Sequence, residues 1–278
     1  MAQGPVIRLA VFGNPVAQSL SPVIHRAFAQ QCGLSVDYRA IEATRESFTD
    51  QVVLLARQGG RGCNITAPFK HDALKLAHHS SESADRAQAA NTLVFEEGGE
   101  WFADSTDGMG LINDLNAGAA AKLKGARICL LGAGGAAASV LAALIASGPE
   151  TVIIANRSLD RARSLASTHS DLGPVESCTP GELFNQAPFD LFINATSLGH
   201  SGSAPRLSGE WLKPDALCYD MNYGAAALPL RDACSELGFR YSDGLGMLVG
   251  QAALSFELWT GKVPDAAKVL LQLRSSPG

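Results

Sequence analysis

The chain has no Cys-x-x-Cys pair, no excess of basic charge, no internal repeat and no low-complexity tract. It also lacks an uninterrupted apolar run of the roughly 18 residues that a membrane-spanning helix needs. Each absence removes a class of function. The six cysteines (Cys32, Cys63, Cys129, Cys178, Cys218 and Cys234) are scattered. Several lie in apolar, strand-like runs and read as buried free thiols, which favours a reducing compartment and a cytoplasmic location. A net charge of −5 offers no basic field to hold nucleic acid. The N-terminus shows no basic stretch leading into a long apolar core, so no signal peptide is expected and no membrane partner. The histidines His25, His71, His78, His79, His169 and His200 show neither metal-ligand spacing nor a triad partner. The adjacent His78-His79 reads as a solvated helix end. No metal is implied.

What is present is the composition of a globular enzyme: 278 residues, 46% hydrophobic and 18% charged, enough for a sizeable core and two domains. Ile7–Phe12 reads as a strand ending at the turn Gly13-Asn14-Pro15. Ser21-Pro22 opens a helix, with Ser21 as N-cap and proline at the first helical position, and Gly33 closes it. A strand over Val36–Ile41, a helix near Glu46–Gln58, a short strand over Gly62–Ile65 and a helix over Lys70–His78 follow. Two strands, Thr92–Phe95 and Trp101–Ala103, flank Glu96-Glu97-Gly98-Gly99-Glu100 as a hairpin. A helix is expected from Gly108 to Leu123. Strands at Arg127–Leu131, Thr151–Ala155, Leu191–Asn194 and Ala216–Asp220 alternate with helices, Ala136–Ser147 among them. That rhythm predicts a doubly wound parallel sheet. The helix over Leu245–Trp259 is apolar on most sides, so it must be buried, and it is expected to pack back on the first domain. Pro264 opens a last short helix.

Four motifs carry chemistry. Gly132-Ala133-Gly134-Gly135-Ala136 lies between a strand and a helix and reads as a dinucleotide turn, with Ala137 in the third glycine position. About 20 residues on, where an NAD enzyme carries an acidic residue, stand Asn156-Arg157-Ser158 and, a helical turn later, Arg161. Two guanidiniums four residues apart can share a helix face and clamp a 2′-phosphate, which points to NADP; the competing reading is a solvated surface pair. Ser19 and Ser21, at a helix start, can bind a carboxylate, or Ser21 can serve as a cap alone. Lys70, after the proline turn Asn64–Phe69, and Asp107, in Ser105-Thr106-Asp107-Gly108, suit proton transfer coupled to hydride transfer. A desolvated lysine can act as acid and base while a carboxylate orients it. On spacing alone, a surface lysine and a capping aspartate is the simpler reading.

Together these segments resemble the shikimate dehydrogenases over nearly the whole chain. The resemblance rests on Asn14 to Pro22, Asn64 to Lys70, Ala90 to Leu93, Ser105 to Gly108 and Gly132 to Ala136. It continues through Asn156-Arg157-Ser158, Asn194 to Ser197, Tyr219 to Tyr223 and Asp243 to Ala252. It implies an α/β fold: an N-terminal α/β substrate domain (1–107 with 245–278), a Rossmann-like doubly wound NADP-binding domain (108–244), and C-terminal helices returning to the substrate domain. It implies NADPH-dependent reduction of 3-dehydroshikimate to shikimate in aromatic amino acid (chorismate) biosynthesis, by a monomer or homodimer acting on a small molecule. Lys70 and Asp107 would be catalytic. Ser19, Ser21 and Tyr223 would hold the carboxylate, and Thr66, Lys70, Asn91, Asp107 and Gln251 the ring hydroxyls. Gly132, Ala133, Gly134, Gly135, Ala136, Asn156, Arg157 and Arg161 would hold NADP. Thr196, Ser197, Met221, Gly244 and Met247 would line the nicotinamide side. The chain departs from the family at Gln18, where histidine is common, and at Arg26, where asparagine is common. After Tyr223 the pattern Y-x-P-x-x-T becomes Tyr223-Gly224-Ala225-Ala226-Ala227-Leu228. Two other readings compete: an NAD-preferring quinate/shikimate dehydrogenase, and a non-catalytic sensor on the same fold.

Overall fold

The computed structural model describes residues 5–186 and 188–275. Residues 1–4 and 276–278, the outer ends of the expected substrate domain, lie outside the described residues. The chain divides into two compact units: Met1–Gly110 with Val249–Gly278, and Leu111–Leu248.

The first unit is built on a mixed sheet. Its elements are β1 (Ile7–Gly13), α1 (Ser21–Cys32), β2 (Val36–Glu42), α2 (Phe48–Arg57), β3 (Gly60–Ile65), α3 (Lys70–Leu76), β4 (His79–Ser80), α4 (Glu82–Ala87), β5 (Thr92–Phe95) and β6 (Trp101–Asp104). The strand order is β2-β1-β3-β5-β6-β4. β1 runs parallel to β2 and β3, while β5 is antiparallel to β3 and β6. The hairpin reading of β5 and β6 holds: Glu96 N donates to Glu100 O at 2.9 Å. Phe12, Phe48, Ile65, Phe69 and Leu93 fill one face, and Leu9, Val11, Tyr38 and Trp259 the other. Each such side chain contributes about 1.5–3 kcal/mol when fully buried.

Several local expectations shift. Leu20, not Ser21, is the N-cap of α1, and it has no side-chain cap bond. The hydroxyl that serves the helix start is Ser19 Oγ, which accepts from Ser21 N at 3.2 Å. α3 stops at Leu76 because Ala77 is extended (ψ 149°). His78 and His79 are therefore not a helix end. His79 pairs with Phe102 in the sheet, and His78 Nδ1 accepts from Trp101 N at 2.9 Å. His79 also meets Glu96 at 3.1 Å, and with Glu100 its ligand atoms fall within 4.8 Å, an exposed cluster that no sequence spacing announced.

The second unit holds β7 (Arg127–Leu131), α6 (Gly135–Ala146), β8 (Thr151–Ala155), α7 (Leu159–Ser167), β9 (Val175–Cys178), α8 (Leu183–Gln186), β10 (Phe189–Asn194), β11 (Leu212–Asp220), α9 (Leu228–Leu237) and β12 (Arg240–Ser242). All strands are parallel, in the order β12-β11-β10-β7-β8-β9. This is the doubly wound order, with its switch point between β7 and β10. The inner strands β7 and β8 are largely apolar because both faces are covered. β9 and β12, too short and too polar to read in the sequence, complete the two edges.

Two helices run through the boundary between the units. α5 (Asp107–Ala117) ends six residues earlier than expected. Asp114 O takes the N–H groups of Gly118 and Ala119, and Ala120 sits at φ 48°, a left-handed conformation that stops helix propagation. α10 (Leu245–Thr260) is buried as its composition demands. Val249, Ala252, Phe256 and Trp259 are inside the first unit, and Met247 joins the core of the second. α11 (Ala266–Ser275) follows in the first unit.

Candidate active site

In the first unit, β3 delivers Asn64 and Ile65 to the turn that carries Thr66 to Lys70. Thr66 N donates to Phe12 O at 2.9 Å, and Phe69 N donates to Thr66 O at 3.1 Å. The Phe69 ring, fully buried, stacks on Phe48 at 4.6 Å and pins the turn to the core. Lys70 is thereby fixed as the first residue of α3, and its carbonyl accepts from Ala90 N at 2.8 Å.

Asp107 is the first residue of α5, where the helix dipole favours a carboxylate. Lys70 Nζ lies 2.5 Å from Asp107 Oδ2, with the two side chains 23% and 8% exposed. The pair is an ion pair held largely out of water, so the reading as a surface lysine and an unrelated capping aspartate does not stand. A buried pair of this kind needs further hydrogen bonds to offset desolvation. Asn91 Nδ2 supplies one, to Asp107 Oδ1 at 2.9 Å, and also faces Thr106 Oγ1 (3.0 Å) and Gln251 Oε1 (3.1 Å). Asn91 Oδ1 accepts from Thr106 N at 2.9 Å and Thr92 Oγ1 at 3.0 Å. Lys70, Asp107, Asn91 and Gln251 thus form one connected group, and Thr66 is four residues away along the same turn.

Ser21 is buried and Ser19 half-buried at the start of α1. The Tyr38 hydroxyl donates to Asn64 Oδ1 at 2.7 Å. Asn64 Nδ2 reaches Asn91 O, Thr92 Oγ1 and Ser255 Oγ at 3.1, 3.2 and 3.0 Å. Sequence reasoning missed Asn64, Thr92 and Ser255 as part of this site. The only available signal was polar residues, Asn64 and Thr92, inside apolar strands.

In the second unit the glycine turn joins β7 to α6 at the switch point. Gly132 N donates to Ala155 O at 2.8 Å. Gly132 has φ 116°, and a Cβ there would stand 3.1 Å from Ala195 O, so only glycine suits the position. Gly134 and Gly135 open onto empty space where a Cβ would stand. Gly134 caps α6 without a side-chain bond, leaving the N–H groups of the first helical turn for an anion. Ala137 is fully buried against the sheet, as its small size in the third position requires. Arg157 and Arg161 are both exposed beyond β8. They do not share a helix face: α7 begins at Leu159, because Asn156 Nδ2 binds Ser158 O at 2.9 Å and holds Arg157 in the preceding turn.

The loops after β10 and β11 are tied by residues the sequence reading had not separated out. Asn194 Oδ1 accepts from Thr196 N and Oγ1 at 3.1 and 2.7 Å. Asn194 Nδ2 donates to Asp220 Oδ1 at 3.0 Å, which also takes Asn222 Nδ2 at 2.7 Å. Burial raises the carboxyl pKa of Asp220 against these bonds. Asn222 Nδ2 also reaches Thr196 O at 3.0 Å, and Gly244 N donates to Asn222 O at 2.9 Å. Met221 N donates to Asn194 O at 3.0 Å, so Thr196, Met221 and Gly244 are fixed together, with Ser197 next in the chain after Thr196 and Met247 on α10. Tyr223 is partly buried in this unit, where burial raises its phenol pKa, whereas Ser19 and Ser21 belong to the first.

Residues 11–93 match the family described as shikimate dehydrogenase substrate binding domain, 114–200 match shikimate/quinate 5-dehydrogenase, and 244–274 match the shikimate 5′-dehydrogenase C-terminal domain. A curated shikimate dehydrogenase (NADP(+)) of Photobacterium profundum is 46% identical, over 96% of this chain and 97% of that protein. An Ael1 enzyme from Pseudomonas putida superposes with a TM-score of 0.87 at 38% identity, covering 98% and 99% of the two chains. Shikimate 5-dehydrogenase from Thermus thermophilus, crystallised with NADP(H) and shikimate, gives 0.83 at 32% identity, covering 96% and 98%.

Proposed function

The chain belongs to the shikimate dehydrogenase family, and from that premise we propose how its residues divide the reversible, NADPH-dependent reduction of 3-dehydroshikimate to shikimate. The activity is that of an oxidoreductase on a CH–OH group, a step of chorismate and aromatic amino acid biosynthesis. The first unit holds the substrate and the second holds NADP. The residues present fit the dinucleotide: the open space over Gly134 and Gly135 accommodates a pyrophosphate, and β8 is followed by the neutral Asn156 and not by a carboxylate, which would repel a 2′-phosphate. Gly132 to Ala136 take the pyrophosphate, and Asn156, Arg157 and Arg161 the ribose phosphate. Thr196, Ser197, Met221, Gly244 and Met247 line the nicotinamide end. When bound, the nicotinamide supplies the hydride in reduction and takes it back in oxidation.

The chain's own work is to place the substrate and move a proton. Ser19 and Ser21 hold the carboxylate; Thr66, Asn91 and Gln251 take ring hydroxyls. Lys70 gives its proton to the oxygen of the carbon being reduced and stabilises the charge that develops there. Asp107 orients Lys70 through Oδ2 and accepts a ring hydroxyl. The contact between Lys70 and Asp107 at 2.5 Å, largely shielded from water, carries this reading. The buried thiols support a cytoplasmic setting.

Steady-state oxidation of shikimate, followed by NADPH absorbance, tests the assignment. Lys70→Ala should lower kcat by about 10²-fold or more while KM stays within a few-fold. Lys70→Arg should not restore it, because a guanidinium keeps its proton. A near-normal kcat in Lys70→Ala removes Lys70 from the mechanism, and a wild-type chain without turnover favours the sensor reading. Quinate and NAD run in parallel separate the quinate-type alternative.

A further inference from the structure

Behind Asp107 runs a chain of polar side chains that the proposed reaction does not use. Its centre is Ser255, fully buried on α10 one turn after Gln251. Ser255 Oγ meets Thr92 Oγ1 at 2.7 Å, Asn64 Nδ2 at 3.0 Å, Gln251 O at 3.1 Å and Thr106 Oγ1 at 3.3 Å, its one proton being shared between Thr92 and the Gln251 carbonyl. Thr106 Oγ1 also reaches Gln251 O at 3.1 Å. Aromatic and aliphatic side chains, Phe256, Leu93 and Trp259 among them, are buried nearby on the same elements.

An apolar core of the same volume would fold at least as well, since a buried polar network gains little net stability and is costly when any member is unsatisfied. What such a network does supply is orientation. Its hydrogen bonds converge on Asn91, whose amide Oδ1 is held by Thr92 and Thr106 and whose Nδ2 meets Gln251 Oε1 and Asp107 Oδ1.

We propose that Ser255 is a positioning residue for substrate binding. By sharing its one proton with Thr92 on β5 and accepting from Asn64 on β3, it sets the rotation of α10 that aims the Gln251 amide, and it steadies Thr92, which with Thr106 holds the Asn91 amide toward Asp107. The proposal rests on the assignment of Asn91, Asp107 and Gln251 made above.

The test compares two hydroxyl- or N–H-deleting variants of one helix. Ser255→Ala should raise KM for shikimate about tenfold, as expected when a buried hydrogen-bond set is broken next to binding groups, with KM for NADP within twofold. Trp259→Phe, one turn further along α10, loses the bond from Trp259 Nε1 to Leu93 O (2.9 Å) and part of the ring packing against His25 and Tyr38, without touching the polar network. It should lower Tm but leave KM for shikimate within twofold. In a Gln251→Ala background, Ser255→Ala should lower kcat/KM by clearly less than it does in the wild type, because part of its effect passes through Gln251 and the rest through Asn91. If Ser255→Ala does not fold, Ser255→Cys, which keeps a weak donor and similar volume, should show a smaller rise in KM of the same kind. An unchanged KM, equal rises in both helix variants, or full additivity with Gln251→Ala overturns the proposal alone. A wild-type chain that does not oxidise shikimate overturns the assigned reaction and this proposal with it.

Discussion

The sharpest prediction about stability concerns His25. Its ring is fully buried, stacked on Tyr38 at 4.3 Å and boxed by Phe28, Phe256 and Trp259. Nε2 lies 3.2 Å from Asn64 Oδ1, and Nδ1 has no hydrogen-bond partner among the described residues. A second proton would sit on Nδ1, with no acceptor and little solvation. Burial therefore lowers the pKa to about 3, against a smaller upward pull from Asn64. An imidazole in the unfolded chain titrates near 6.5. The sign follows: between those values the unfolded chain binds a proton that the fold refuses, so stability falls as pH drops below about 6.5. At pH 5 the loss is about 2 kcal/mol relative to pH 7.5. Urea unfolding at the two pH values, for wild type and His25→Phe, isolates the effect, since every other titrating group is shared. Asn64 Oδ1 keeps the Tyr38 hydroxyl in the variant, and a phenyl ring keeps the aromatic contacts of the site. The wild type should lose about 2 kcal/mol more than His25→Phe on going to pH 5. Parallel losses in the two proteins would refute the neutral, unpartnered imidazole.

Two further outcomes are expected. Replacing Arg157 and Arg161 together, by Ser and Ala, should raise KM for NADP by about tenfold or more while KM for NAD changes little, because only the 2′-phosphate loses charge-assisted bonds; equal effects on both cofactors would remove the phosphate clamp. Brief alkylation of the native protein followed by peptide mass mapping should label Cys32, which is partly exposed, well before the five buried thiols, two of which illustrate why: burial pushes Cys63 and Cys129 far up. Rapid labelling of any of those five would contradict the packing described here.

Much of the architecture was legible because period and punctuation carry it. The apolar runs at Arg127–Leu131 and Thr151–Ala155 had to be covered on both faces, and they are the inner strands β7 and β8. The glycine turn could only join a strand to a helix. The misreadings share one cause: weak local signals settled by contacts from elsewhere. β4 and β12 are two and three residues long and exist because a neighbouring strand pairs with them. α5 is short because its own Asp114 carbonyl takes the Gly118 and Ala119 amides. His79 left the helix because Trp101 and Phe102 drew the chain into the sheet.

The site divides in the same way. Residue types at Lys70, Asp107, Ser19, Ser21 and the glycine turn are properties of the sequence, since chemistry depends on which functional groups are available and on their local backbone. Sequence alone therefore determined the repertoire: a proton carrier, a carboxylate, hydroxyls at a helix start and a turn shaped for pyrophosphate. That Lys70 and Asp107 stand 2.5 Å apart across 37 positions, with Asn91 and Gln251 closing around them, was decided only by the tertiary structure. Spacing along a chain constrains neighbours within a turn of helix or a hairpin. Contacts between distant segments depend on which strands pair and how a buried helix is rotated, and that is a property of the whole packed unit.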